Sequence, residues 1–254
     1  HSSQKGYQTK RAYLLKGEKL PPGEFGVMHG YMKIPELKKV CHAYGVSINE
    51  YLVAVYVWSV YTECMHGMPS ERPVRVAVPV NLRPYFNSIT TKNFFVMVSA
   101  EFHPTKEIYT FEEVLKSVSE SLRSQISREN LEKLFSYNVS NEKLLAARIV
   151  PLFLKNLAMR YVYTTSALAN TATVTNIGNI SVSEEYRPYV EMFHAFLAMS
   201  KGQHLKGTIC SYGSTLVFSF SFDLKDVSVQ RGFFRKIAAD GIEVELDTNG
   251  VTAD

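Results

Sequence analysis

With three cysteines in 254 residues, one tryptophan, and no charge excess beyond the first twenty positions, the sequence lacks the marks of several protein classes. Cys41, Cys64 and Cys210 are odd in number and widely spaced, which excludes a disulfide framework and suits reduced thiols in a cytosolic protein. Cys41-His42 and Cys64-x-His66 lack the tight ligand spacing of zinc modules, so no metal site is expected and core packing is the better reading. The most apolar run, Tyr51 to Tyr61, is eleven residues long, against about 20 for a helix that spans a bilayer. The polar N-terminal stretch contains no apolar core of a signal peptide. Nucleophile-elbow, Walker, dinucleotide-fingerprint and His-Glu-x-x-His motifs are all missing, which leaves hydrolases, nucleotide-loop enzymes and zincins without support. The formal charge of +4 comes from Lys5, Lys10, Arg11, Lys16 and Lys19 against Glu18, leaving 23 basic and 23 acidic residues beyond. A basic terminal stretch without a basic folded face argues against nucleic acid as a partner.

What is present is a core. A 46% hydrophobic content is ample for one packed domain of this length. Residues 1–26, basic and carrying Pro21-Pro22-Gly23, read as a tail or crossover segment ahead of a single lobe, 27–254. Val27 to Ile34 reads as a strand, and Pro35 opens a helix that ends at Gly45. Ser47-Ile-Asn-Glu50 is a capping box starting a helix to about His66, apolar on nearly every side and therefore buried on several. Val74 to Val80 and Phe94 to Phe102 read as strands around a loop with Asn81, Arg83 and Asn87. Thr110-Phe-Glu-Glu113 caps a helix to about Ser127, and two more follow, Asn130 to Val150 and Leu152 to Thr164, separated at Pro151. Strands are then expected at Thr173 to Asn176, Val190 to Met199, Leu205 to Tyr212 and Ser214 to Phe222, the last two as a hairpin about Gly213. Within the last of these, Leu216, Phe218, Phe220 and Phe222 alternate with Val217, Ser219 and Ser221, giving one aromatic and one small polar face. A helix from Asp226 to Ala239 and a strand through Ile242, Val244 and Leu246 close the pattern. The interleaving predicts a two-layer α/β lobe with a mixed, largely antiparallel sheet packed by helices.

Three segments, Val74-Arg-Val-Ala-Val-Pro-Val-Asn-Leu-Arg-Pro-Tyr-Phe86, Asn93-Phe94-Phe95-Val96 and Thr175-Asn176-Ile177-Gly178-Asn179-Ile180, resemble in order and spacing the C-terminal lobe of the chloramphenicol acetyltransferase-like superfamily. That superfamily includes alcohol acetyltransferases, plant acyltransferases and condensation domains of peptide synthetases. Its members are two-lobed and carry their catalytic base in a His-His-x-x-x-Asp-Gly motif on the N-terminal lobe. No His-x-x-x-Asp occurs here; His103 to Glu107 comes nearest, without the preceding histidine or the following glycine.

The resemblance thus implies half of a CoA-dependent acyltransferase, lacking the base in this chain. The intact protein would move an acyl group from an acyl-CoA or acyl-carrier thioester to an alcohol or amine, with no tightly bound cofactor and the N-terminal lobe as partner. Self-association through the face meant for that lobe is a further expectation. The same resemblance places Asn93, Phe94, Phe95, Thr175, Asn176 and Gly178 along the acyl channel. It gives Asn81 and Arg83 an interlobe role, the arginine pinning the motif aspartate. Lys92 stands where glycine is usual. The Asp-Phe-Gly-x-Gly signature is absent, as it often is in the alcohol acetyltransferase branch. The plainer alternatives are a solvated loop arginine at Arg83 and a simple turn at Asn176 and Gly178. His29 and His194 are the weak candidates for a base, with structural histidines as the alternative reading. The second function class is a non-catalytic binding or assembly module derived from the same fold.

Overall fold

In a computed structural model, residues 11–87, 89–90, 94–142, 151–200 and 202–251 are described. The chain runs β1 (Gly26–Lys33), α1 (Ile34–Tyr44), α2 (Ile48–Ser59), β2 (Val74–Asn81), α3 (Arg83–Phe86), β3 (Phe95–Phe102), α4 (Phe111–Gln125), α5 (Arg128–Glu142), α6 (Leu152–Leu168), β4 (Ala172–Asn179), β5 (Leu205–Tyr212), β6 (Thr215–Phe222), α7 (Ser228–Ala239) and β7 (Val244–Thr248). One seven-stranded sheet has the order β3-β2-β4-β5-β6-β1-β7. β2, β4 and β5 run parallel, and every other neighbouring pair is antiparallel. This is the two-layer lobe the alternating patterns predict.

Local chemistry sets the helix ends. Ser47 Oγ accepts from the Glu50 amide at 3.2 Å while Glu50 Oε2 accepts from the Ser47 amide at 2.7 Å, closing the first turn of α2. The box at Thr110 and Glu113 does the same for α4. α1 stops at Gly45, which takes the left-handed conformation with φ 67°. α2 continues as a π-helical turn over Val60–Cys64 and ends two residues short of His66, whose φ of +53° no longer fits a helix.

The sheet face toward the helices carries the core. α2 packs on β2 and lies against α4 and α7, and its residues Tyr51 to Val57 are buried without exception. Phe218, Phe220 and Phe222 of β6 lie on this face, with Phe233 and Phe234 of α7 both edge-on to Phe220 at 5.0 and 5.7 Å between ring centres. Each fully buried aromatic of this kind stabilises the fold by about 1.5–3 kcal/mol. Glycine makes room for them: a Cβ at Gly30 would lie 2.1 Å from the Phe234 ring, and one at Gly26 2.1 Å from Phe222.

One expected strand does not form. Among the described residues, 190–199 make no sheet ladder, and an isolated bridge joins Ser200 to Gln203 just beyond them. The reason is that β4, β5 and β6 each already have neighbours on both sides, so no edge is open to it there. The segment instead crosses the sheet face opposite the helices, as a strap. Side chains hold it: Cys210 Sγ reaches the Phe193 carbonyl at 3.2 Å, Ser221 Oγ donates to the Leu197 carbonyl at 2.6 Å, and Lys206 Nζ to the Ala198 carbonyl at 2.8 Å.

Other boundaries shift. The expected helix over 130–150 begins at Arg128 and is described to Glu142; 143–150 lie outside the described residues. The loop after β2 contains the short helix α3, and a 3-10 turn spans Glu184–Tyr189; neither is foreseen in the pattern. Residues 11–25 are pinned to the lobe. Ala12 and Leu15 are buried, the Tyr13 amide donates to the Pro73 carbonyl at 2.8 Å, and the Leu20 amide to Asp223 at 2.9 Å.

Candidate functional site

Strand direction gathers the candidate residues at one end of the sheet. The carboxyl ends of β2, β4 and β5 lie there together with the start of β3, the end of β1 and the start of β6. In open α/β sheets the carboxyl ends of parallel strands are the usual ligand position, because loops there converge without covering the backbone ends.

At this end Asn81 closes β2 and organises its own loop. Its Oδ1 accepts from the Arg83 amide at 3.1 Å and from the Arg83 guanidinium at 3.2 Å, while Arg83 Nε donates to the Thr90 carbonyl at 2.9 Å. The guanidinium is therefore aimed by its own loop. Phe94 is packed against Phe86 and Phe135, at 6.2 and 5.1 Å between ring centres, whereas Phe95 is 47% exposed at the mouth of β3. Asn93, the third residue of that element, lies outside the described residues.

Alternation divides the next motif. Thr175 pairs in register with Thr208 and shares the strap face, while Asn176 lies on the helix side. There Asn176 Oδ1 accepts from the Gly178 amide at 2.8 Å, and its Nδ2 lies 3.5 Å from Asn49 at the start of α2. A register shift between Asn176 and Gly178, with φ of +87° at Gly178, makes the bulge that only glycine adopts without strain. Thr175 and Asn176 thus address different spaces, and one reacting oxygen on either face meets only one of them.

His29 and His194, unrelated in sequence, come together. The strap carries His194 onto β1, with ring centres 4.5 Å apart. His194 Nε2 lies 2.9 Å from the Tyr31 hydroxyl, and His29 Nδ1 lies 2.7 Å from Ser219 Oγ. Burial pushes the His29 imidazole below its ordinary value, His194 pushes the same way, and Asp247 on β7 opposes both. A neutral imidazole bonded to a buried hydroxyl is able to hold or pass a proton. Beside it opens a groove of about 400 Å³ lined by Tyr31, Glu191, Met192, His194, Thr215 and Glu245, among others. The pattern foresaw the small polar face of β6, yet Ser219 and Asp247 become neighbours of His29 only through pairing with strands far along the chain.

His103, nearest to the missing motif, is exposed just after β3 and bonds to Glu101. Glu101 in turn pairs with buried Arg75 at 2.6 Å, and this network lies away from the site end. Cys41 and Cys64 are thiols that burial pushes up to about 11, so neither is a ready nucleophile. Among the described residues no cluster of three or more His, Cys, Asp or Glu could hold a metal ion, and no helix is long and apolar enough to cross a membrane.

No protein-family model and no curated protein matches the sequence. Solved structures match the fold. A nonribosomal peptide synthetase, FmoA3, superposes with a TM-score of 0.59 at 16% identity, over 91% of this chain and 22% of that one. TRI101 of F. sporotrichioides, solved with coenzyme A and T-2, gives 0.58 at 11% identity, over 92% and 56%. The wax ester synthase/diacylglycerol acyltransferase of Marinobacter aquaeolei VT8 gives 0.53 at 15%, over 91% and 52%. The architecture is therefore a two-layer α/β lobe that matches a CoA-dependent acyltransferase-like fold. The chain spans about half the length of the last two of these proteins.

Proposed function

We propose that this chain is the C-terminal lobe of an acyltransferase that moves an acyl group from an acyl-CoA or acyl-carrier thioester to an alcohol or amine. The observation that carries the reading is the shared lobe fold, over about nine-tenths of this chain, with half of an acyltransferase and half of a protein solved with coenzyme A. In this reading the N-terminal lobe supplies the histidine base, and the thioester lies between the lobes. Asn176, Gly178 and Phe95 border its channel from this side, with Phe94 beside them and Thr175 on the far face of β4; Asn93 belongs to the same channel element by sequence. Arg83, aimed by Asn81, meets the carboxylate that orients the base. The alternative, a non-catalytic assembly module, shares the fold and predicts no turnover in any context.

The test follows free-thiol release from acetyl-coenzyme A with a panel of alcohols and amines, by this chain and by a two-lobed protein containing it. Turnover by the two-lobed protein is expected, and a rate about 10² to 10⁴ lower for this chain, because general base and second wall are both lost. Arg83→Ala in the two-lobed protein should lower the rate by disordering the lobe junction. An inactive two-lobed protein would favour the assembly module. Turnover by this chain that disappears in His29→Gln or His194→Gln would place the base here and overturn the half-enzyme reading.

A further inference from the structure

The strap is held onto the sheet by two unlike sets of contacts. At Leu197 and Ala198 its carbonyls accept from Ser221 Oγ at 2.6 Å and from Lys206 Nζ at 2.8 Å. Acid releases neither donor, because a hydroxyl does not titrate and an ammonium only keeps its proton. Toward Glu191 the attachment changes. Phe193 gives its carbonyl to the Cys210 thiol and its ring to Tyr212, while His194 lies over His29 at 4.5 Å between ring centres, with Nε2 2.9 Å from the Tyr31 hydroxyl. This stretch also borders the groove of about 400 Å³. Residues 191–194 thus have open space to move into while 197–198 stay fixed.

What a proton does here depends on every charged or titratable group around the two rings. β1 brings Tyr31 and, beyond it, Lys33 paired with Glu243 at 2.8 Å. β6 brings Ser219, bonded to His29 Nδ1. β7 brings Asp247, in register with His29, and Glu245, in register with Tyr31, and the strap brings Glu191. These carboxylates favour one imidazolium in the cluster. A second one meets a like charge at ring-contact distance in a partly desolvated place. His29 cannot leave, because β1 is laddered on both sides. His194 can, because its segment makes no ladder among the described residues. A lifted His194 titrates in water, so the lifted strap binds more protons than the closed one and acid favours it. Burial and His194 lower the His29 imidazole, with Asp247 opposing, which is the sign this requires. We propose that His29 and His194 form a pH latch: with at most one proton on the pair, residues 191–194 stay closed over β1, and a second proton lifts that end of the strap about a pivot at Leu197 and Ala198. The latch is independent of whether the protein transfers acyl groups.

Cys210 reports the opening. It is buried beneath the strap, whereas Cys41 of α1 is buried in the core on the helix side. The test follows labelling of each thiol of the 254-residue chain by a pyridyl disulfide, which reacts with thiols in acid as well as at neutral pH. Each rate is divided by that of the urea-unfolded chain at the same pH. From about pH 7.5 to about pH 5.5 the Cys210 ratio should rise about tenfold, and the Cys41 ratio should not. His194→Gln, at an exposed position, keeps a partner for Tyr31 without a charge and should hold the Cys210 ratio at its neutral-pH level throughout. His29→Gln should do the same; should it fail to fold, His194→Gln decides. A wild-type Cys210 ratio that does not change with pH overturns the latch. So does a rise shared equally by Cys41, which is global unfolding, and so does a rise that persists in His194→Gln, which puts the titrating group elsewhere.

Discussion

The two faces of the central strands are buried to the same degree by opposite means. On β6, Phe218, Phe220 and Phe222 meet helices, while Val217, Ser219 and Ser221 meet the strap. Helices arrive with their backbone groups already paired, so that side of the sheet needs only shape and apolar area. The strap arrives as unpaired extended chain. Carbonyls it turns toward the sheet require donors, and the sheet supplies them from Ser221, Lys206 and Cys210. The kind of cover therefore dictates the residue type beneath it: aromatic under helices, hydroxyl and amine under extended chain.

The largest way to break this comparison is on the helix side. Phe220→Ala, at a position with no exposed surface, should cost about 3–5 kcal/mol in urea unfolding, from lost transfer energy plus the cavity left among Phe218, Phe233 and Phe234. A loss below about 1 kcal/mol would mean the aromatic face is not the main source of stability.

On the strap side the effects should be smaller and of both signs. Ser221→Ala removes one buried hydrogen bond to the strap and should cost about 1 kcal/mol. Thr208→Val acts oppositely, because Thr208 Oγ1 is buried without a hydrogen-bond partner among the described residues; it should be neutral or stabilising by up to about 1 kcal/mol. If both changes destabilise equally, hydroxyls on this face serve packing and not strap attachment.

The smallest effect concerns pH. His29 is held below its ordinary value near 6.5, so the unfolded chain binds its proton at a higher pH than the folded chain does. Stability should therefore be full above about pH 6.5 and fall as pH drops from there through the lowered folded value. Urea unfolding at a series of pH values, wild type against His29→Gln, isolates this window, and equal slopes in the two proteins would show that the imidazole titrates freely. Carboxylates act lower. Burial alone would raise Glu101, but hydrogen bonds from Arg75 and His103 outweigh it, so its share is present above the ordinary value of 4.5 and lost as pH falls through the lowered folded value.

Much of the helix side was legible. The capping boxes at Ser47 and Thr110 mark the helix starts to the residue, and the alternation from Leu216 to Phe222 gives both faces of β6, because both signals are local. Residues 190–199 show the limit. Alternation there reports an extended chain with one covered side, but whether such a chain joins a ladder depends on which edges are free, a property of the assembled sheet. The site divides the same way. Asn81, Arg83, Asn176 and Gly178 share one end of the sheet through parallel strand direction, whereas the pairing of His29 with His194 and Ser219 rests on register across 190 residues.

That register also sets a clock. β1 makes its ladder with β6 and β7 only, and its His29 meets Ser219 190 residues later. At synthesis rates of about 5–20 residues per second, β1 waits about ten to forty seconds before a partner strand exists. During that interval Val27, Met28 and Met32 have no sheet to enter, and the nearest apolar shelter is the helix pair that follows directly in the chain. The strand of this lobe that is made earliest is thus among the last to be paired, which makes closure around β1 the slow, long-range step in folding of the lobe.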